Sequence, residues 1–189
     1  MSTASGQPGR YQRSSSGMLG ALLVTLLVIG AFVAFRAFNR TDLRVEPDHV
    51  DYLAQVGFAQ QAGDQLVYPA SLPSGWYATQ LNVDPGRATE LRLSMLTGEN
   101  QYVGFVQSPD PAPVLLSRYV DASPASGDPV EVPGAVDGTV TRWDVWTDGG
   151  GDTALVARHG DETLMVFGTV SQARLEQLAG SLTTADLAR

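Results

Sequence analysis

The sequence predicts an α+β fold: one N-terminal transmembrane helix, then a mainly antiparallel sheet flanked by helices. Three observations carry this. Met18 to Phe35 holds no charge and one polar side chain, Thr25. Beyond it, short alternating runs separated by Gly, Pro, Asn and Asp succeed one another at hairpin spacing. Helical apolar stripes stand before and after those runs.

The apolar stretch comes first in the chain. As a helix, Met18 to Phe35 covers about 27 Å, close to the roughly 30 Å hydrocarbon core of a bilayer. The Thr25 hydroxyl can bond back to the carbonyl one turn earlier. Arg10 and Arg13 precede the stretch, and Arg36 and Arg40 come after it. A cleaved secretory signal has a shorter apolar core and a small-x-small cleavage site. Phe35-Arg36-Ala37-Phe38 offers no such site. A buried core helix would need shielding on every side. The expectation is an uncleaved anchor over residues 18–38, with the lipid bilayer as its partner. For orientation, Arg36, Arg40 and Arg44 outnumber Arg10 and Arg13, which favours a cytoplasmic domain. Long domains, however, cross largely regardless of charge, and the short tail carries no acid. The expected arrangement is a plasma-membrane protein with its tail inside and its C-terminal domain extracytoplasmic.

Composition bounds the remainder of the chain. The expected divisions are a disordered basic tail (1–17), the anchor (18–38), a linker (39–45) and one acidic domain (46–189). That domain is large enough for an ordinary core. The chain has 20 acidic against 12 basic residues, a net charge of −8, and no cysteine. Every acid lies from Asp42 onward, and every basic residue is arginine. An acidic domain is a poor partner for nucleic acid. Without cysteine there is neither disulfide nor thiol chemistry.

The elements are expected in this order. Glu46 to Gly63 reads as a helix, with Pro47 at its first position, Asp48 and Asp51 at the positive end of its dipole, and Gly63 at its stop. Its apolar stripe is Val50, Leu53, Ala54, Gly57 and Phe58. Leu66 to Tyr68 is extended, and Pro73-Ser74-Gly75 is a turn. Strands come next at Trp76–Val83, Glu90–Leu96 and Gln101–Gln107, with turns at Asp84-Pro85-Gly86 and Thr97–Asn100. Leu91, Leu93 and Met95 face one way along their strand; in the next, Tyr102, Gly104 and Val106 share one face and Val103, Phe105 and Gln107 the other. Pro113 to Tyr119 reads as a short helix with Val114, Leu115 and Arg118 on one side. Asp121 to Asp128 is a loop. Val130–Val132, Thr139–Thr147, Thr153–Arg158 and Glu162–Val170 are further strands. The last is apolar on both faces and so belongs at the sheet's centre. Ser171 caps a final helix that buries Leu175, Leu178, Ala179 and Leu182.

Few residues carry recognisable chemistry. Trp76 and Tyr77, after the Pro-Ser-Gly turn, either line a pocket or cover the end of the core. Trp143 and Trp146 point to opposite faces of a strand. At most one belongs to the core, and the other, with Arg142, offers an exposed patch to a glycan or protein. Asp148-Gly-Gly-Gly-Asp152 lacks the acid spacing of a calcium loop and reads as a hairpin turn. His49 and His159 have no zinc-motif spacing. There is no Gly-x-Ser-x-Gly elbow and no phosphate loop. No catalytic residue, metal ligand or cofactor is therefore expected.

The order Val-Asp-Tyr-Leu, Tyr-Pro-Ala-Ser-Leu-Pro-Ser-Gly-Trp, Tyr-Val-Gly-Phe-Val-Gln-Ser, Arg-Trp-Asp-Val-Trp and Ala-Leu-Val-Ala-Arg resembles domain-of-unknown-function family 4245, a set of actinobacterial single-pass membrane proteins. Pro69, Leu72, Pro73, Gly75, Trp76, Tyr102, Gly104 and Gln107 carry most of the likeness. It implies a domain on the outer face of the membrane and brings no activity with it. The expected function is a non-catalytic, membrane-tethered accessory or binding domain of the cell envelope, with an envelope protein or polymer as partner. The alternatives are a small envelope hydrolase using His159 or an acid pair, and a structural subunit of a membrane complex.

Overall fold

The structure, a computed structural model, describes residues 15–38, 48–84 and 90–187. The chain divides into two compact units, Met1–Glu46 and Pro47–Arg189. Residues 1–14 of the basic tail, the linker over 39–45, the helix start at Glu46-Pro47 and the Pro85-Gly86 turn lie outside the described residues.

The first unit contains α1 (Ser15–Phe38). The Thr25 hydroxyl donates to the Ala21 carbonyl at 2.9 Å, so the one polar side chain of the apolar stretch is satisfied within the helix. The side chains from Gly17 to Arg36 are exposed on all sides. By length and composition this helix is able to cross a membrane, as an anchor or as a signal sequence.

The second unit is α+β. Its elements are α2 (Tyr52–Gln61), β1 (Tyr68–Pro69), β2 (Trp76–Asp84), β3 (Glu90–Thr97), β4 (Tyr102–Ser108), α3 (Ala112–Tyr119), β5 (Ala125–Ser126), β6 (Val130–Glu131), β7 (Arg142–Thr147), β8 (Thr153–His159), β9 (Glu162–Gly168), α4 (Gln172–Ala179) and β10 (Leu182–Thr183). Eight strands form one antiparallel sheet in the order β2-β3-β4-β9-β8-β7-β5, with β6 also on β7. β1 and β10 make a separate two-stranded ribbon.

Local chemistry sets the hairpins. Between β3 and β4, the Thr97 hydroxyl accepts from the amides of Glu99 and Gln101, and Asn100 takes the left-handed conformation that asparagine tolerates. β8 and β9 turn through Gly160-Asp161, with Gly160 at φ 58°. β9 lies between β4 and β8, as its two apolar faces require.

The two faces of the sheet build two cores. Leu93, Phe105, Leu155 and Val166 pack with Tyr52 and Val56 of α2 and with Leu175 and Leu178 of α4. Val106, Val156, Met165 and Phe167 pack with Leu115 and Leu116 of α3. Gly104 makes the second core fit, because a Cβ there would run into the Phe167 ring.

The helices differ in phase from the sequence reading. α2 starts at Tyr52, where the Asp51 carboxylate accepts from the Ala54 amide at 3.1 Å. The Tyr52 hydroxyl donates to the Pro69 carbonyl at 2.8 Å. That anchor turns Tyr52 and Val56 inward, and Phe58 is left 70% exposed. In α3 the buried pair is Leu115 and Leu116, while Val114 and Arg118 face solvent. Ser171 stands at the N-cap of α4 but its hydroxyl makes no capping bond. Leu182 is buried but belongs to β10.

Thr139 to Thr141 is not strand. Residues 133–139 form a turn in which Gly134, Val136, Asp137 and Gly138 all have positive φ. Left-handed backbone is costly for a β-branched residue such as Val136. Its amide is held by the Leu182 carbonyl at 2.8 Å, and its side chain is in the first core. Beside it the Asp137 carboxylate accepts from the Thr184 amide (2.9 Å) and from the hydroxyls of Thr183 (2.7 Å) and Thr184 (3.0 Å). These bonds, the Thr184 amide first, hold the Asp137 carboxyl below the usual carboxylate range.

This packing predicts two outcomes. Gly104→Ala should cost about 1–3 kcal/mol through overpacking, seen as a lower urea midpoint at unchanged m. Because Asp137 titrates lower when folded, its stabilisation is full above the ordinary carboxylate pKa and disappears as pH falls through the lower folded value. Wild type should therefore exceed Asp137→Asn in unfolding midpoint at neutral pH and lose that advantage at the acid end. A difference independent of pH would contradict the clasp.

Candidate functional site

One cleft in the second unit is built on a buried glutamine. Gln107, near the end of β4, faces the core with Val103 and Phe105 and is 1% exposed. A buried amide must place its polar atoms. Its Oε1 accepts from the Val67 amide at 2.7 Å; its NH2 group donates to the Gln65 carbonyl at 3.1 Å and to a Glu162 carboxylate oxygen at 2.5 Å. One side chain thus ties the approach to β1 onto β4 and orients an acid on β9.

Around it opens a cleft of about 490 Å³, lined by Gln60, Asp64, Gln65, Leu66, Val67, Gln107, His159, Glu162, Thr184 and Asp186. His159 and Glu162 face each other as register partners at the β8–β9 turn. Asp64 lies just past the end of α2. Thr184 and Asp186 come from the segment after β10, which side chains hold in place. Gln60 donates to the Ala185 carbonyl (3.0 Å) and accepts from the Leu187 amide (2.9 Å). The Tyr68 hydroxyl also donates to the Ala185 carbonyl, at 2.6 Å. Burial raises the pKa of Tyr68, and pushes that of Tyr52 up to about 12. Both phenols therefore stay protonated as donors.

Among the described residues the lining holds three carboxylates and one histidine, with no arginine. Such a wall favours a basic or hydrogen-bond-donating ligand. No serine lines it. Among the described residues no three His, Asp or Glu side chains are grouped so as to hold a metal ion.

The residues that the sequence offers as a binding patch lie elsewhere. Trp76 is mostly buried at the start of β2, with the Arg174 guanidinium 5.2 Å from its ring centre. Tyr77 is half-buried and stacks on His49, ring centres 4.1 Å apart. Trp143 is fully buried in the first core. Trp146 is half-buried against the second core, and Arg142 on the same face is exposed. β2 and β7 stand five strand spacings apart, about 24 Å, so these five residues form no common site.

A family model described as "Protein of unknown function (DUF4245)" matches residues 10–182. The chain belongs to the DUF4245 family. No curated protein and no solved structure matches it. In this DUF4245 member the Tyr-Val-Gly-Phe-Val-Gln-Ser stretch carries two structural tasks: Gly104 admits the Phe167 ring and Gln107 founds the cleft.

Of the cleft residues, the sequence offers His159 as a candidate for chemistry and Gln107 only as a carrier of the family likeness. A signal for Gln107 was present, since alternation grouped this polar residue with the apolar Val103 and Phe105. The other lining residues come from separate stretches that no spacing rule connects. Gln107→Leu should strand the Val67 amide and the Gln65 carbonyl and cost about 2–4 kcal/mol. Gln107→Glu should also destabilise, because a carboxylate cannot donate to either oxygen. Urea midpoints of the two variants check this; wild-type values would remove Gln107 as the cleft's foundation.

Proposed function

We propose that this protein is a non-catalytic accessory domain of the cell envelope, tethered to the plasma membrane by an uncleaved α1. The basic tail lies in the cytoplasm and the acidic domain outside, where the cleft at Gln107 receives a basic segment of an envelope protein. The observation that carries this reading is α1 itself: a helix exposed on all sides, charge-free from Met18 to Phe35, ahead of a unit with its own cores. An apolar surface of that extent needs lipid or protein around it. The sign and openness of the cleft support the choice of a basic partner.

His159 beside Glu162 favours one second reading, a small envelope hydrolase with a general acid–base pair. That reading requires a nucleophile or water to enter the cleft, and hydrolysis that fails in His159→Ala.

Topology tests the main reading. With a tag after Arg189, protease added to intact cells should cut the domain, and the tagged protein should keep the full-length mass and stay with membranes. Cutting only after lysis would place the domain in the cytoplasm. A product shortened by the length of α1 and recovered free of membrane would make α1 a signal sequence.

A further inference from the structure

Of the three helices described in the second unit, α2 alone has no charged residue. Its outer face holds Ala54, Gln55, Phe58 and Gln61, with Ala62 just past its end, all exposed. These positions lie three and four residues apart and so share one side of the helix. Phe58 at their centre is 70% exposed, the most of any large apolar side chain among the described residues of this unit. Leu187, itself 41% exposed, lies against α2 at Gly57 and donates its amide to Gln60. By contrast the outer side of α3, on the opposite face of the sheet, carries Arg118 paired with Asp110.

The neutral patch is wider than one helix. From Tyr52 to Val83 the sequence has a single charged residue, Asp64. The Tyr52–Pro69 bond holds the loop after β1 beside the start of α2, and that loop exposes Ala70, Ser71 and Ser74. Carboxylates stand at the rim: Asp48 and Asp51 before α2, Asp64 after it, and Asp186 next to Leu187. The centre, at Phe58, is left uncharged.

Position in the chain decides what covers this face. α2 is the first helix after α1. From Phe38 to Tyr52 the chain is 14 residues long, at most about 50 Å when fully extended. A domain of this size is about 35–40 Å across, so with α1 in the bilayer the second unit stays within little more than its own width of the surface. Charge then selects the side that approaches. A chain with a net charge of −8 turns its acids away from anionic headgroups, while an exposed phenylalanine ring gains by entering the boundary of the acyl chains. The tether supplies the proximity that Lys and Arg supply in free interfacial helices. We propose that the outer face of α2 docks on the surface of the bilayer, with the Phe58 ring at the acyl boundary and the Gln55 and Gln61 amides among the headgroups. This rests on the reading of α1 as an uncleaved anchor. The docked domain has the α3 side of its sheet turned away from lipid.

The chain has no cysteine, so an introduced cysteine reports one site. The full chain, reconstituted in vesicles of phosphatidylcholine and phosphatidylglycerol, is labelled with an environment-sensitive fluorophore at Gln61→Cys or, as a control on α3, at the exposed Ser117→Cys. Phosphatidylcholine bearing a nitroxide near its headgroup should quench most of the emission at the first site and little at the second. Phe58→Gln, an exposed substitution that leaves the fold intact, should bring quenching of the Gln61→Cys probe down to the Ser117→Cys level. Flotation separates this proposal from the anchor reading. Protein that does not float with the vesicles overturns both. Protein that floats with the Gln61→Cys probe quenched no more than the control overturns this proposal alone. So does quenching that Phe58→Gln leaves unchanged, or cross-linking of two Gln61→Cys copies in place of quenching, which would assign the face to a second copy.

Discussion

The second unit depends on one buried amide side chain, Gln107, whose polar atoms are all placed by bonds within the protein. Gln107 has one acceptor bond and two donor bonds, to Val67, Gln65 and Glu162. The bond to the Val67 amide is made away from solvent, where an unmade bond costs about 1–3 kcal/mol, and the other two sit at the cleft's edge. The amide therefore fixes the distance between the β1 approach and β4. That distance sets how β1 lies on β10, and β10 is held in turn by the left-handed turn at Val136 and Asp137. Strain at Val136 persists because the surrounding bonds determine it from several sides.

The first core and the candidate cleft share these supports. The same approach that Gln107 holds delivers Leu66, Val67 and Tyr68 to the core, each almost fully buried. It also presents Asp64 and Gln65 to solvent along the cleft. On the opposite face, Gly104 lets Phe167 lie flat against β4, and Tyr102 rests on that ring. The cleft and the contact of Tyr102 with Phe167 thus both trace to one strand, β4, through its two alternating faces.

Much of the sheet was legible in the sequence. Leu91, Leu93 and Met95 alternate strictly, and Thr97–Asn100 and His159–Asp161 are turn sequences, so local pattern was enough for two hairpins and a central β9. The phase of α2 was not legible. Its cap is Asp51 and its inward anchor is the Tyr52 hydroxyl, and neither contributes to an apolar stripe. The turn at Gly134–Gly138 was hidden because valine with positive φ contradicts local preference. Only tertiary bonds to Leu182 and Thr184 make it the better choice. The sites were least legible. Trp143 and Trp146 were the conspicuous aromatics, yet one is core and the other is half-sheltered. The cleft gathers residues from the end of α2, β4, the β8–β9 turn and the chain after β10, which no linear spacing relates.

The strand order has a further consequence, for synthesis. β4 pairs with β9, and their partners are far apart in sequence, Ser108 with Thr163 and Val103 with Gly168. When β2, β3 and β4 have emerged, the inner edge of β4 has no neighbour until the β8–β9 hairpin arrives. Closing so distant a pair is slow, and an unpaired apolar edge invites pairing with other chains. A newly made molecule therefore passes through a stage in which half the sheet exists with an open seam. Completion of the fold waits on the last third of the chain.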